Sequence, residues 1–217
     1  MKSVLAVHSS FDEATKECMV RWLKEMNFGM QKFLKQEVYS FDDLDEYCYY
    51  VAGTPSGFLT ELIRKRSKDL SEENSSILKE NERDFGLFLQ KVNIIRDFRE
   101  DIQDNEKIFW PGFLFEKYQV MPEKLLDEDN KQKSMEILDY MLDNACKHIE
   151  PVKAYLNSIP DEYAGFRAGA AVSFAMGVAT LDTMRNNSEV FFGDKPVKIS
   201  HESRDNIISD PLGFVSN

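Results

Sequence analysis

The stretch that decides the fold is Gln90-Lys91-Val92-Asn93-Ile94-Ile95-Arg96-Asp97-Phe98-Arg99-Glu100-Asp101. On a helix Asp97, Glu100 and Asp101 stand at i, i+3 and i+4, so they share one face. At about 100° per residue Gln90, Asn93 and Asp104 join that face, with Leu89 and Ile94 along its borders. Carboxylates clustered without interleaved lysines repel one another, and a bound cation relieves the repulsion. Hard oxygen donors at this spacing suit Mg²⁺, which takes one or two carboxylates plus water and substrate phosphates. The competing reading is a solvated acidic face. The apolar borders favour a stripe that looks into a cavity, and so a metal–phosphate site.

Helical spacing extends on both sides. Ser10-Phe11-Asp12-Glu13 reads as a capping box opening a helix with Met19, Trp22, Leu23, Met26, Met30, Phe33 and Leu34 as its stripe, ending near Gln36. Ser40 opens a second, carrying Leu44, Tyr47, Cys48, Val51 and Ala52, and Pro55 predicts a break or kink just after Ala52. Asp42, Asp45 and Glu46 repeat the i, i+3, i+4 spacing, but in a first turn, where acids complement the helix dipole. Arg64 to Asn81 is polar and reads as a surface linker. A long helix spans about Glu82 to Asp104, and Trp110-Pro111-Gly112 stops whatever continues. Lys131 to Ser158 is a further amphipathic helix, bent late by Pro151. The small residues of Ala164 to Asn186 allow neighbouring helices to approach closely. Beyond Asn187 the pattern suggests a short hairpin or an irregular tail over 187–217. The fold class is all-α, in a single domain.

Composition narrows the function. With 27 basic and 38 acidic residues the net charge of the 217-residue chain is −11. That argues against nucleic acid as a partner and against a polybasic grip on lipid. Cys18, Cys48 and Cys146 are scattered with no CxxC spacing, which excludes a disulfide framework and a four-thiolate zinc site. His8, His148 and His201 are equally dispersed, and HExxH, GxSxG and P-loop motifs are absent. The N-terminus lacks the pattern of a secretory signal, and Ala168 to Leu181 is too short for an intrinsic membrane span. The expectation is a cytoplasmic chain, with peripheral membrane association left open.

Asp97 to Asp101, preceded by FLQKVNIIR and followed by FWP, resembles the second aspartate-rich motif of the squalene/phytoene synthase family, closest to its squalene synthases. Tyr47 to Gly53 (YCYYVAG) resembles another motif of that family. Asn144 to Leu156 (NACKHIEPVKAYL), Met176 to Leu181 (MGVATL) and Val190 to Ile199 (VFFGDKPVKI) resemble its C-terminal half, in order.

The resemblance implies an isoprenoid-synthase helical bundle. It implies a Mg²⁺-dependent prenyltransferase that condenses two prenyl diphosphates head to head, here two farnesyl diphosphates to squalene through a cyclopropyl intermediate. A diphosphate leaves once its charge is neutralised, and the carbocation survives in a dry, aromatic-lined cavity. By motif position Asp97, Asp101 and Asn93 would hold the metal, Gln90, Arg96 and Lys107 would bind substrate, and Tyr50 would be catalytic. Lys198 would contact NADPH, with Ser200 where the family has a basic residue. The family also carries a first aspartate-rich motif on an earlier helix, which nothing before Phe11 supplies. The expectation is therefore a chain without the N-terminal helices, inactive alone, that self-associates or is completed by an N-terminal chain. The alternative is a non-catalytic binding or regulatory partner.

Overall fold

The computed structural model describes residues 2–104 and 107–216, and among them every regular element is helical. Helix α1 (Lys2–Ser10) is followed by α2 (Glu13–Phe33). The expected capping box at Ser10 is displaced. Ser10 closes α1, its Oγ donating to the Val7 carbonyl at 2.7 Å. Asp12 caps α2 instead, its Oδ1 accepting the Thr15 N–H at 2.8 Å. A carboxylate beside the positive end of a 21-residue helix is the stronger cap.

Helix α3 (Phe41–Cys48) starts at Ser40, and Ser40 with Asp43 forms a reciprocal capping box. The break expected after Ala52 takes the form of a π-helical turn, Tyr49–Gly53, whose widened ladder has Thr54 N–H donating to the Tyr49 carbonyl. Pro55 then lies in the first turn of α4 (Thr54–Arg66), where a missing N–H leaves no helical bond unmade.

The polar linker expected over Arg64 to Asn81 is only 67–71. Helix α5 (Glu72–Arg96) begins ten residues earlier than expected, capped by Ser71 Oγ accepting from Asn74 N–H at 3.1 Å. Its first half is solvated but inserts Leu78, fully buried, into the core. One apolar stripe suffices for a surface helix. Its second half buries Gly86, Leu87, Phe88, Lys91, Val92, Ile94 and Ile95, because α5 is the central rod against which the π turn, α4, α8 (Lys131–Cys146), α9 (Ile149–Asn157) and α10 (Ala164–Met184) pack.

The helix expected to run to Asp104 breaks at Asp97, and α6 (Phe98–Gln103) follows; α7 (Gly112–Tyr118) comes after the Trp110-Pro111-Gly112 stop. The helix expected over Lys131 to Ser158 breaks at Lys147 and His148, so Pro151 is accommodated in the first turn of α9 rather than bending a helix interior. The small residues of α10 do allow close packing: a Cβ on Gly177 would stand 2.6 Å from the Phe88 ring. By length and composition Asp161–Met184 could cross a membrane, contrary to the expectation from sequence, while its Ala171, Phe174, Ala175, Leu181 and Met184 face is buried in the core. The segment 187–217, expected to be a hairpin or irregular, carries α11 (Glu189–Phe192), α12 (His201–Ser209) and α13 (Gly213–Ser216).

Candidate active-site face

Asp97 sits at the α5–α6 junction with φ −90° and ψ 0°, in a sparsely occupied region where active-site residues recur. Trp110, 2% exposed, is positioned at the break: its indole N–H donates to the Ile94 carbonyl at 3.1 Å while its ring packs 4.1 Å from that of Phe98. Asp97 N–H still donates to Asn93 O, and Asp101 N–H to Asp97 O, each at 2.9 Å. Asn93, Asp97 and Asp101 therefore keep helical register through the junction. Trp110 carries no mark of this role in the sequence beyond its place in the Trp-Pro-Gly stop.

The face is open rather than enclosed. Asn93 and Glu100 are exposed, Gln90 and Asp101 are half-buried, and the Asp97 side chain is 32% exposed. Arg96 Nε and its terminal nitrogen donate to the two Asp97 oxygens at 2.6 and 2.8 Å. These bonds raise the Arg96 pKa against the opposing effect of its burial. Among the described residues no three His, Cys, Asp or Glu side chains converge on one point as a protein-only metal cage would require. All-oxygen donors spread along one face fit a Mg²⁺ shared with a diphosphate and water better than a resident, fully caged ion.

The two motif tyrosines differ in their surroundings. Tyr47 stacks on Phe109 at 4.0 Å and 15°, and meets Phe33 edge-on at 5.4 Å. Burial first, then the charges of Cys48 and Asp101, push its phenol up to about 12. Tyr50, expected to be the catalytic tyrosine, lies against the α2 backbone, where a Cβ on Gly29 would come within 1.8 Å of its ring. Its pKa is raised by burial and by Glu46, with Lys32 opposing, and none of these groups belongs to the acidic face. One helical turn separates the two residues and both rings reach Phe33, Tyr47 at 5.4 Å and Tyr50 at 6.4 Å, but the charge of Asp101 acts on the Tyr47 phenol and not on that of Tyr50.

Lys107, expected to bind diphosphate, instead caps the C-terminal end of α2, its Nζ donating to the carbonyls of Phe33 and Gln36. Lys198 is exposed, in an open depression shared with Asn187, Glu189, Phe192 and Lys195. Ser200, two residues on, is the N-cap of α12, accepting the Ser203 N–H at 3.0 Å.

The structure defines an all-α bundle with an acidic stripe that runs from its central helix across the α5–α6 break. Comparison with known proteins narrows it. The squalene/phytoene synthase family matches residues 3–203. Squalene synthase 3 of Panax ginseng is 38% identical over 192 residues, covering 87% of this chain and 43% of that relative. Squalene synthase 1 of Arabidopsis thaliana is 36% identical, covering 88% and 46%. A solved TcSQS complex with the ligand E5700 superposes with a TM-score of 0.85 at 32% identity, covering 96% of this chain and 61% of that one. A solved dehydrosqualene synthase complex, at 20% identity and a TM-score of 0.69, shares the fold. The chain belongs to the squalene/phytoene synthase family and has its all-α isoprenoid-synthase fold. It spans less than half the length of these curated relatives.

Proposed function

We propose that this chain supplies one wall of a site for head-to-head condensation of two prenyl diphosphates, with farnesyl diphosphate as substrate and squalene as product. The observation that carries the proposal is the register of Asn93, Asp97 and Asp101 through the α5–α6 break. Those three residues would hold Mg²⁺, which when bound neutralises the diphosphate leaving group. Arg96, already charge-paired with Asp97, is placed to exchange that carboxylate for a diphosphate oxygen, and Gln90 to donate to the substrate head. Tyr47 rather than Tyr50 would serve at the reacting carbons, since its neutral phenol oxygen, on which the charge of Asp101 acts, could stabilise the cation and pass the proton released on cyclopropane closure to the departed diphosphate. The rings of Tyr47, Phe109 and Phe33 would screen a cationic intermediate from water. Lys198 remains the candidate contact for NADPH.

The opposite wall would come from a segment corresponding to the part of the relatives this chain does not cover. Such a segment, as a separate N-terminal chain or as part of a longer one, would close the open face. Product analysis with Mg²⁺, farnesyl diphosphate and NADPH, with and without such a segment borrowed from a relative, tests the proposal. Squalene or its cyclopropyl precursor from the supplemented protein, and none from the 217 residues alone, is expected. Absence of product in both, with Mg²⁺-dependent diphosphate binding retained, would favour a second reading, a non-catalytic binding partner. The open face favours that reading.

A further inference from the structure

Lys91 is 1% exposed in the middle of α5, where an ammonium group is rarely found unless paired. Its Nζ donates to Asn144 Oδ1 on α8 at 2.6 Å and to His148 Nε2 at 2.7 Å. It also lies 2.5 Å from Asp45 Oδ1 on α3, an ionic contact without the alignment of a hydrogen bond. His148 Nδ1–H donates to Asp84 Oδ1, on α5 itself, at 2.6 Å. That bond fixes the tautomer, leaving on Nε2 the lone pair that accepts from Lys91. The network therefore joins α3, α5 and the α8–α9 junction around one buried charge. The condensation chemistry makes no use of any of these groups.

We propose that Lys91 is a positioning residue: through Asp45 its ammonium holds α3 so that Tyr47, two residues further on, keeps its place against Phe109 and Phe33. The purpose of this device rests on the functional reading above. Tyr47 is packed by rings, and offset aromatic contacts tolerate sliding, so the rings alone do not set its place. The backbone of α3 must do so. Leu44 and Cys48 seat it in the core, the Ser40–Asp43 capping box pins its first turn, and the next carries two ion pairs, Lys32–Glu46 on its outer side and Lys91–Asp45 towards the interior. A buried ion pair is a weak source of net stability compared with an apolar replacement, whereas holding one arrangement is the use for which such pairs are best known.

The test is magnetic resonance of the chain carrying ring-¹³C tyrosine, with the Tyr47 signal assigned through Tyr47→Phe. Lys91→Met is expected to move the Tyr47 resonance at least half of the way to that of free tyrosine. Tyr155, which stacks on Phe85 and shares a hydrogen bond with Thr60, should keep its shift. Val92→Ala, a buried truncation on the same helix, should lower the melting temperature and leave Tyr47 in place, which separates positioning from loss of stability. Asp45→Ala, at a side chain 31% exposed, should reproduce the Tyr47 shift, and the double variant Lys91→Met/Asp45→Ala should add nothing to the larger single effect. If Lys91→Met does not fold, Asp45→Ala decides alone. An unmoved Tyr47 in Asp45→Ala, or equal movement in Lys91→Met and Val92→Ala, overturns the assignment. No substrate enters the measurement, so its failure is distinct from a failure of the condensation reading, which product analysis decides.

Discussion

Gly86 on α5 faces the backbone of the π turn. A Cβ there would stand 2.3 Å from the Ala52 carbonyl oxygen, 2.4 Å from its carbon and 2.5 Å from the Gly53 nitrogen. Ordinary contact begins near 3.4 Å, so Gly86→Ala forces α5 and the π turn apart by about 1 Å. No flexible side-chain tip is available to yield, which puts the overpacking cost near the top of the usual range, about 3 kcal/mol. The better helix propensity of Ala returns about 1 kcal/mol. The net loss is about 2 kcal/mol, or about 4–8 °C in Tm for a chain of this length. Gly169, in the interior of α10, has nothing within 4 Å of its added Cβ. The same substitution there should stabilise by about 1 kcal/mol. Thermal and urea denaturation followed by circular dichroism measures both. A Gly86→Ala chain as stable as the parent would show that the close approach of α5 to the π turn is not what packs them.

Other substitutions separate the roles of single residues. In the protein supplemented to full activity, Tyr47→Phe should lower kcat by about 100-fold or more and Tyr50→Phe by only a few-fold; steady-state kinetics with the reverse order would return the catalytic assignment to Tyr50. Lys107→Met should cost about 2 kcal/mol of stability through the freed carbonyls of α2 while leaving pyrophosphate affinity unchanged, which denaturation and calorimetry distinguish. Asp97→Asn should abolish Mg²⁺-dependent pyrophosphate binding with little change in Tm, and calorimetry showing unaltered binding would remove Asp97 from the metal set. Glu61 is pushed up by burial, but hydrogen bonds from Lys65, Trp22 and Arg21 outweigh this and hold it at about 2, below its ordinary 4.5. A depressed carboxylate pKa favours the folded state above pH 4.5, and that contribution is lost as pH falls from 4.5 towards 2. Glu61→Gln should therefore flatten the fall in Tm over that acid range.

What the sequence determined by itself was whatever depends on local periodicity and local chemistry. The apolar spacing of α2, α3 and α8 made the chain all-α, Ser40 announced its cap, and Pro55 announced an interruption near Ala52. The i, i+4, i+8 spacing put Asn93, Asp97 and Asp101 on one face, since helical register needs no tertiary information. Tertiary structure decided the rest. Residues 72–81 look like a linker because a solvated helix needs only one anchoring residue, Leu78, and its burial is set by partners distant in the chain. Lys107 resembles a diphosphate ligand in the sequence, but folding brings it to the end of α2, where unpaired carbonyls hold its charge. Tyr47 and Tyr50 share a motif, and only tertiary packing seats the Tyr50 ring over Gly29 and stacks the Tyr47 ring on Phe109. Lys91 reads as an ordinary polar position on a helix; that it is buried, and bound to Asp45, Asn144 and His148, follows from three helices meeting at a point that no local pattern encodes.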